Sequence, residues 1–303
     1  MIRTDLALEA KEMYHENAGQ TTEIDGVVAH TNEYDDISVT TVEILNEKGE
    51  RALGKPVGKY ITIEMPKFKD YGRAFYEIAC NHLKECISEV IPKNCGKCVL
   101  VTGLGNRQIT PDALGPKVID KLIVSRHLHE LAPDSIGELG CMCALSPGVL
   151  GITGIETLEI IKGVAGRVKP DLIIAIDALC SRQADRVATT IQIANTGISP
   201  GSGIGNNRKG INEETLGIPV IAIGVPMVVD AETIAYDAVC MAEGKDVLTF
   251  DKIKKAVRDN VGPLLVTPKD IDRLTEQMSD IVAGGINTAF HNIKLSEIPL
   301  YIY

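Results

Sequence analysis

Two carboxylates stand where an α/β sheet would present them to a ligand. Asp112 lies in the loop after the apolar run Val99-Leu100-Val101, and Asp177 directly follows the run Leu172-Ile-Ile-Ala-Ile176. In open α/β sheets, ligands bind in the crevice outside the carboxyl ends of the strands, where loops diverge. The two aspartates are 65 residues apart, the length of two strand-helix units, so they would face each other if their strands are neighbours. Such a pair can share a proton, one member serving as general base towards a water and the other as general acid. The same residues also suit plain capping, Asp112 after Thr110-Pro111 and Asp177 ahead of the segment that follows it.

Other chemistry-bearing patterns are weaker. Gly103-Leu-Gly105 begins like a dinucleotide fingerprint, but Gln108 takes the third glycine position and no helix is expected where a pyrophosphate would need one. A non-catalytic or nucleotide-binding α/β protein using the turn at 103–106 is the alternative reading. Gly197-Ile-Ser199-Pro-Gly201 has the letters of a nucleophile elbow, yet Pro200 and the glycine-rich run after it demand a loop where that motif needs a helix. No His-Glu-x-x-His, no Gly-Lys-Ser/Thr phosphate loop and no Asp-Thr/Ser-Gly motif occurs.

The cysteine pairs Cys95/Cys98 and Cys141/Cys143 resemble half-sites for zinc, but their spacings differ and the first runs straight into an apolar strand. Reduced, packed thiols are the expectation, because disulfide scaffolds belong to short secreted domains. Histidines are scattered at 15, 30, 82, 127, 129 and 291, and His127 and His129 suit the end of a helix.

Alternating elements must carry these residues. Between 25 and 66 the chain is rich in β-branched residues, as strands or hairpins require. Phe75, Ile78, Ala79, Leu83, Ile87, Val90 and Ile91 then recur at helical spacing up to Pro92. Pro116 is expected as the first residue of a helix over 117–124. A helix over 156–168, a buried strand over 171–176 and a third apolar strand over 219–224 follow. Asp230 suits the N-cap of a helix over 231–242, and Thr267-Pro-Lys-Asp270 has the spacing of a capping box. Buried strands alternating with helices imply an α/β fold whose largely parallel sheet is covered on both faces.

Composition narrows the function classes. The 303 residues carry 31 Lys and Arg against 41 Asp and Glu, a net charge of −10, with only 4% aromatics. A grip on phosphate backbones needs clustered cations, and single-stranded readers need stacking aromatics, so no nucleic-acid partner is expected. No apolar run is long enough to cross a membrane, and charged residues interrupt the first twenty positions before a signal peptide could form, so a cytoplasmic protein is expected.

With these segments placed, the sequence resembles the germination protease family of spore-forming bacteria. Three blocks carry the likeness: Arg3-Thr-Asp-Leu-Ala-Leu-Glu-Ala10; Thr102-Gly-Leu-Gly-Asn-Arg107 with Thr110-Pro-Asp-Ala-Leu-Gly-Pro116; and Ile174-Ala-Ile-Asp-Ala-Leu179 with Thr196-Gly-Ile-Ser-Pro-Gly-Ser-Gly203. The resemblance implies an atypical aspartic-type endopeptidase that degrades small acid-soluble spore proteins during germination, cutting after Glu, in the cytoplasm of the spore core. It implies a three-layer α/β/α sandwich similar to hydrogenase-maturation peptidases, with a mostly parallel sheet and a β-rich N-terminal portion. By position, Asp112 and Asp177 match the family's two essential aspartates, which sets the catalytic reading above the capping one.

A homotetramer and a zymogen are implied as well. The block usually found just after the processing site begins here at Ile2-Arg3, so the expectation is a mature form or a member with almost no propeptide. Related maturation peptidases add a His to bind metal, and no His lies in the matched blocks, so no metal and no cofactor are expected. One catalytic unit over 1–303 is expected, with 21–66 its β-rich portion and 197–215 a glycine-rich loop insertion. Gly103, Gly105 and Asn106 are candidate substrate-binding residues. Arg107, Arg182, Arg186 and Arg208 are candidates for reading the substrate Glu, because a guanidinium pairs bidentately with a carboxylate.

Overall fold

Continuous apolar runs in the central strands build one mixed sheet that is buried on both faces at its centre. The computed structural model describes residues 4–18, 23–68, 73–93, 95, 98–132, 134, 136, 137, 139–201, 209–243 and 249–301. Among these the strands are β1 Val27–Tyr34, β2 Ile37–Ile44, β3 Gly58–Glu64, β4 Cys98–Gly103, β5 Cys141–Leu145, β6 Leu172–Ser181, β7 Thr190–Ala194, β8 Val220–Asp230 and β9 Leu265–Val266. Their order is β1-β2-β3-β7-β8-β6-β4-β5, with β9 beside the end of β8. Strands β5, β4, β6 and β8 run parallel, and the β-rich N-terminal portion extends the same sheet through antiparallel pairs β1/β2, β2/β3, β3/β7 and β7/β8. The fold class is α/β, with helices on both faces of the sheet.

The helices are α1 Ala7–Ala18, α2 Glu47–Leu53, α3 Arg73–Val90, α4 Leu114–Ile119, α5 Arg126–Leu131, α6 Leu150–Thr153, α7 Thr157–Val168, α8 Glu213–Leu216, α9 Ala231–Glu243, α10 Phe250–Asn260 and α11 Ile271–Phe290. One face of the sheet packs continuously on α3, α4 and α11: Ile174 and Ile176 of β6 join Leu83, Ile87, Leu114, Met278 and Ile286 in its core. Burying each such side chain stabilises the fold by about 1.5–3 kcal/mol. The other face is covered in two patches, one with Ala7 and Ala10 of α1 and the other with Ile161 and Ala165 of α7. Ile173 and Ala175 belong to the α7 patch, so the two-residue period of a strand turns Asp177 to that same face.

Several boundaries differ from the sequence expectation for identifiable reasons. Strand β6 continues through Asp177 to Ser181, because β8 runs beside it past Gly224; the register shifts between Leu179 and Cys180, where Pro226 and then Val228 are the partners. That irregularity accommodates a proline inside a strand, which otherwise breaks a ladder. Helix α4 begins at Leu114, two residues before Pro116, and ends at Ile119, since a 3-10 turn over Thr110–Asp112 leads into it. Consequently His127 and His129 lie in the separate helix α5, not at the end of α4. Asp230 is the last residue of β8, immediately before α9. Asp270, not Thr267, is the N-cap residue of α11, and it makes no side-chain cap bond. The Thr267 hydroxyl donates instead to the Met227 carbonyl at 2.9 Å.

Candidate active site

Strand β4 is where the chain order reverses: β5 lies on one side of it and β6 on the other. At its carboxyl end the Leu104 N–H donates to the Ile176 carbonyl at 2.8 Å, extending the β4/β6 contact by one residue and tying the next loop to the residue before Asp177. Gly105 follows with φ +112°, and a Cβ there would be driven into the Asp112 backbone. The loop therefore folds back tightly enough for the Asn106 N–H to donate to Asp112 Oδ2 at 2.7 Å. Gly103 and Gly115 serve the same packing, since a Cβ on either would collide with the other's backbone or with Leu104.

Asp112 and Asp177 both line one cavity of about 720 Å³. Asp177 is buried, 6% exposed, and its Oδ1 accepts from the Ala178 N–H at 2.9 Å. Asp112 is half-buried. The cavity opens on the face left between the α1 and α7 patches, with Tyr60, Ala194 and Ala222 in its wall from the antiparallel side. Burial pushes the Tyr60 phenol up to about 12, and its hydroxyl donates to the Pro56 carbonyl at 2.8 Å.

Of the expected substrate-binding residues, Gly105 and Asn106 line the cavity, whereas Gly103 is spent on the close approach of α4. Arg208 and the loop segment 202–208 lie outside the described residues. The remaining arginines are engaged inside the fold and do not line the cavity. Arg107 pairs with Asp120 and donates to the Pro116 carbonyl at 3.1 Å. Arg182 makes a bidentate pair with Asp237 at 2.6 and 2.7 Å. Arg186 is buried, bidentate to Glu12 at 2.6 and 2.7 Å and bonded to Glu64 at 2.8 Å. Guanidinium type alone could not reveal these partners, because all lie far away in sequence except Asp120.

The sequence reading missed the N-terminal segment and Lys55. The Asp5 N–H donates to the Cys180 carbonyl at 3.0 Å, and the Cys180 N–H returns to Asp5 Oδ2 at 2.9 Å, which docks the segment beside β6. Gln192 grips the same segment, accepting from the Ala7 N–H at 2.7 Å and donating to the Asp5 carbonyl at 3.1 Å. Glu9 is fully buried, and burial raises its pKa although the Arg182 and Gln183 N–H groups donate to it at 2.6 and 2.9 Å. Asp5 and Lys55 both line the cavity.

Among the described residues no group of three His, Cys, Asp or Glu is arranged to hold a metal ion. Cys98 and Cys141 are register partners across β4 and β5, whereas Cys95 turns its thiol to the Asp171 carbonyl at 3.4 Å. Also among the described residues, no helix is long and apolar enough to cross a membrane.

A family model described as germination protease matches residues 7–257. The chain is similar to the germination protease of Clostridium tetani, 47% identical over 99% of each chain, and to that of Caldanaerobacter subterraneus subsp. tengcongensis, 48% identical over 95% of this chain and 94% of its relative. It is 40% identical to the germination protease of Priestia megaterium, over 96% of this chain and 94% of that one. Among solved structures, a nickel–iron hydrogenase maturation protease from Thermococcus kodakarensis aligns with 65% of this chain and 96% of its own, at 17% identity and a TM-score of 0.35.

Proposed function

The chain belongs to the germination protease family, and on that premise we propose that it is an aspartic-type endopeptidase that cuts small acid-soluble spore proteins during germination, with Asp112 and Asp177 as the catalytic pair. The protease class and a protein substrate come with the family; the substrate, the pair and its chemistry are the proposal. One observation carries it: two carboxylates from separate strand-helix units line one cavity at the carboxyl end of β4.

In the proposed reaction one carboxylate is ionised and takes a proton from a water as its oxygen attacks the scissile carbonyl carbon. The other, protonated, gives its proton to the amide nitrogen as the C–N bond breaks. The Asn106 N–H steadies Asp112 and the Ala178 N–H steadies Asp177, so neither side chain has to be ordered at the moment of reaction. Asp112→Asn and Asp177→Asn proteins, shown by circular dichroism to be folded, are each expected to lose about 10²–10⁴-fold in cleavage of a purified small spore protein. Normal cleavage by either would end the two-aspartate reading.

The same reading treats 1–303 as one catalytic unit working in the spore-core cytoplasm as a homotetramer made as a zymogen. The net charge of −10 supports capture of substrate protein free of DNA. Sedimentation velocity of the purified protein tests the assembly.

A further inference from the structure

We propose that Lys55 reads the substrate: its ammonium holds a carboxylate side chain of the peptide in the cavity, so that cleavage selects an acidic residue close to the scissile bond. This rests on the protease reading above. Among the described residues Lys55 is the cation that lines the cavity, against three acids, Asp5, Asp112 and Asp177. No described arginine reaches that wall, since Arg107, Arg182 and Arg186 are bound to carboxylates of the fold.

Lys55 is not neutralised in this way. Its Nζ donates to two neutral carbonyls, Thr4 O at 3.1 Å and Asp5 O at 3.0 Å, and among the described residues no carboxylate forms an ion pair with it. A lysine ammonium has three donors, so one N–H is left for a ligand. Burial depresses its pKa, opposed by the nearby charges of Asp5 and Glu9. A partly dried cation with a spare donor favours an anionic partner, whose attraction is greater there than in water.

The placement is also rigid. Helix α2 starts on Asn46, whose Oδ1 accepts from Lys48 N and Gly49 N at 2.9 and 3.2 Å, and ends on Gly54 at φ 63°. Lys55 follows at once, and the Pro56 carbonyl after it is held by the Tyr60 hydroxyl. Asp5, which accepts from Lys55, pairs with Cys180, three residues along β6 from Asp177. At about 3.3 Å per residue that offset is about 10 Å, which an extended peptide covers in three residues. A carboxylate on Lys55 and a scissile bond at the aspartates thus fit one bound peptide.

A purely structural role would have Lys55 only pin residues 4 and 5, and the test separates the two. Cut sites of the wild-type protein in a small spore protein are mapped by mass spectrometry, and each acidic residue within about three positions of a cut is replaced by its amide. The wild type is expected to lose about 10- to 100-fold in kcat/KM on one amide substrate. Lys55→Met should treat parent and amide substrates alike, and Lys55→Arg should restore the preference. Discrimination by Lys55→Met equal to that of the wild type, or cuts without acidic neighbours, overturns the role of Lys55 and leaves the protease reading intact. No cleavage at all by the wild type overturns both. Should Lys55→Met fail to fold, the wild type's preference is measured against pH: it should shrink as pH rises and the ammonium, its pKa depressed by burial, loses its proton, and a preference unchanged from neutral pH to about pH 10 overturns the proposal.

Discussion

Gly105 and Asp112 are in backbone contact across the loop after β4: a Cβ at Gly105 would lie 3.1 Å from Asp112 Oδ1 and closer still to its carbonyl oxygen. With φ at +112°, Gly105 also holds a conformation that other residues rarely adopt. Gly105→Ala is therefore expected to cost about 1–3 kcal/mol of stability through backbone strain. Its effect on turnover should be larger, about 100-fold, because the Asp112 carboxylate is displaced. Thermal melts and kcat measured side by side check this; an Ala variant with wild-type turnover would show that the contact does not set the position of Asp112.

Arg186 is expected to matter for stability and not for substrate choice. It is buried beside Glu9, Glu12 and Glu64, with Glu9 at 3.4 Å; burial alone would loosen its proton, but Glu12 and Glu64 hold that proton more tightly than in a free arginine. Arg186→Met leaves the buried Glu9 and the half-buried Glu12 and Glu64 without their counter-charge, at a cost of about 3–5 kcal/mol. Urea unfolding measures the loss. A midpoint unchanged from the wild type would mean that the cluster contributes nothing.

Arg107 offers the opposite case. Its pair with Asp120 is about half exposed, at 53% and 52% of the two side chains, so solvent screens it. Arg107→Ala should cost under about 1 kcal/mol and leave the preference for acidic substrates in place. Loss of that preference in the variant would return Arg107 to the binding site.

His291 makes the fold sensitive to mild acid. Its Nε2–H donates to the Ile123 carbonyl at 2.9 Å, while the buried Nδ1 has no hydrogen-bond partner among the described residues. Burial depresses its pKa below the ordinary value, and like-charge repulsion from His129 adds to the effect. The unfolded chain then binds more protons than the folded one between the folded value and about 6.5, so stability is complete above about pH 6.5 and declines as pH falls through that window. His291→Gln should flatten the fall in melting temperature between about pH 7 and pH 5. Parallel curves for the two proteins would assign the acid sensitivity elsewhere.

Much of this was legible from residue type and period. The three apolar runs became β4, β6 and β8, and the helical spacing from Phe75 became α3, because burial on both faces of a sheet or on one face of a helix writes itself directly into the pattern. The apolar runs also pointed to the two aspartates, which line one cavity, although Asp177 lies inside β6 and not at its end. Strand lengths were not legible: the apolar run ends at Ile176, yet β6 reaches Ser181 because β8 offers backbone partners regardless of side-chain polarity. The arginines misled for a related reason. A guanidinium's partner is a tertiary fact, and Glu12 is 174 residues from Arg186. Lys55 carried no signal at all, being a single lysine between a helix-ending glycine and a proline.

The cavity wall draws on Asp5 at one end of the chain and Thr267 near the other, with Lys55, Asp112 and Asp177 between them. During synthesis, therefore, this wall is complete only once residues 5 through 267 have left the ribosome and β3 has found β7. The long-range order of the sheet makes the cavity one of the last features of the fold to form.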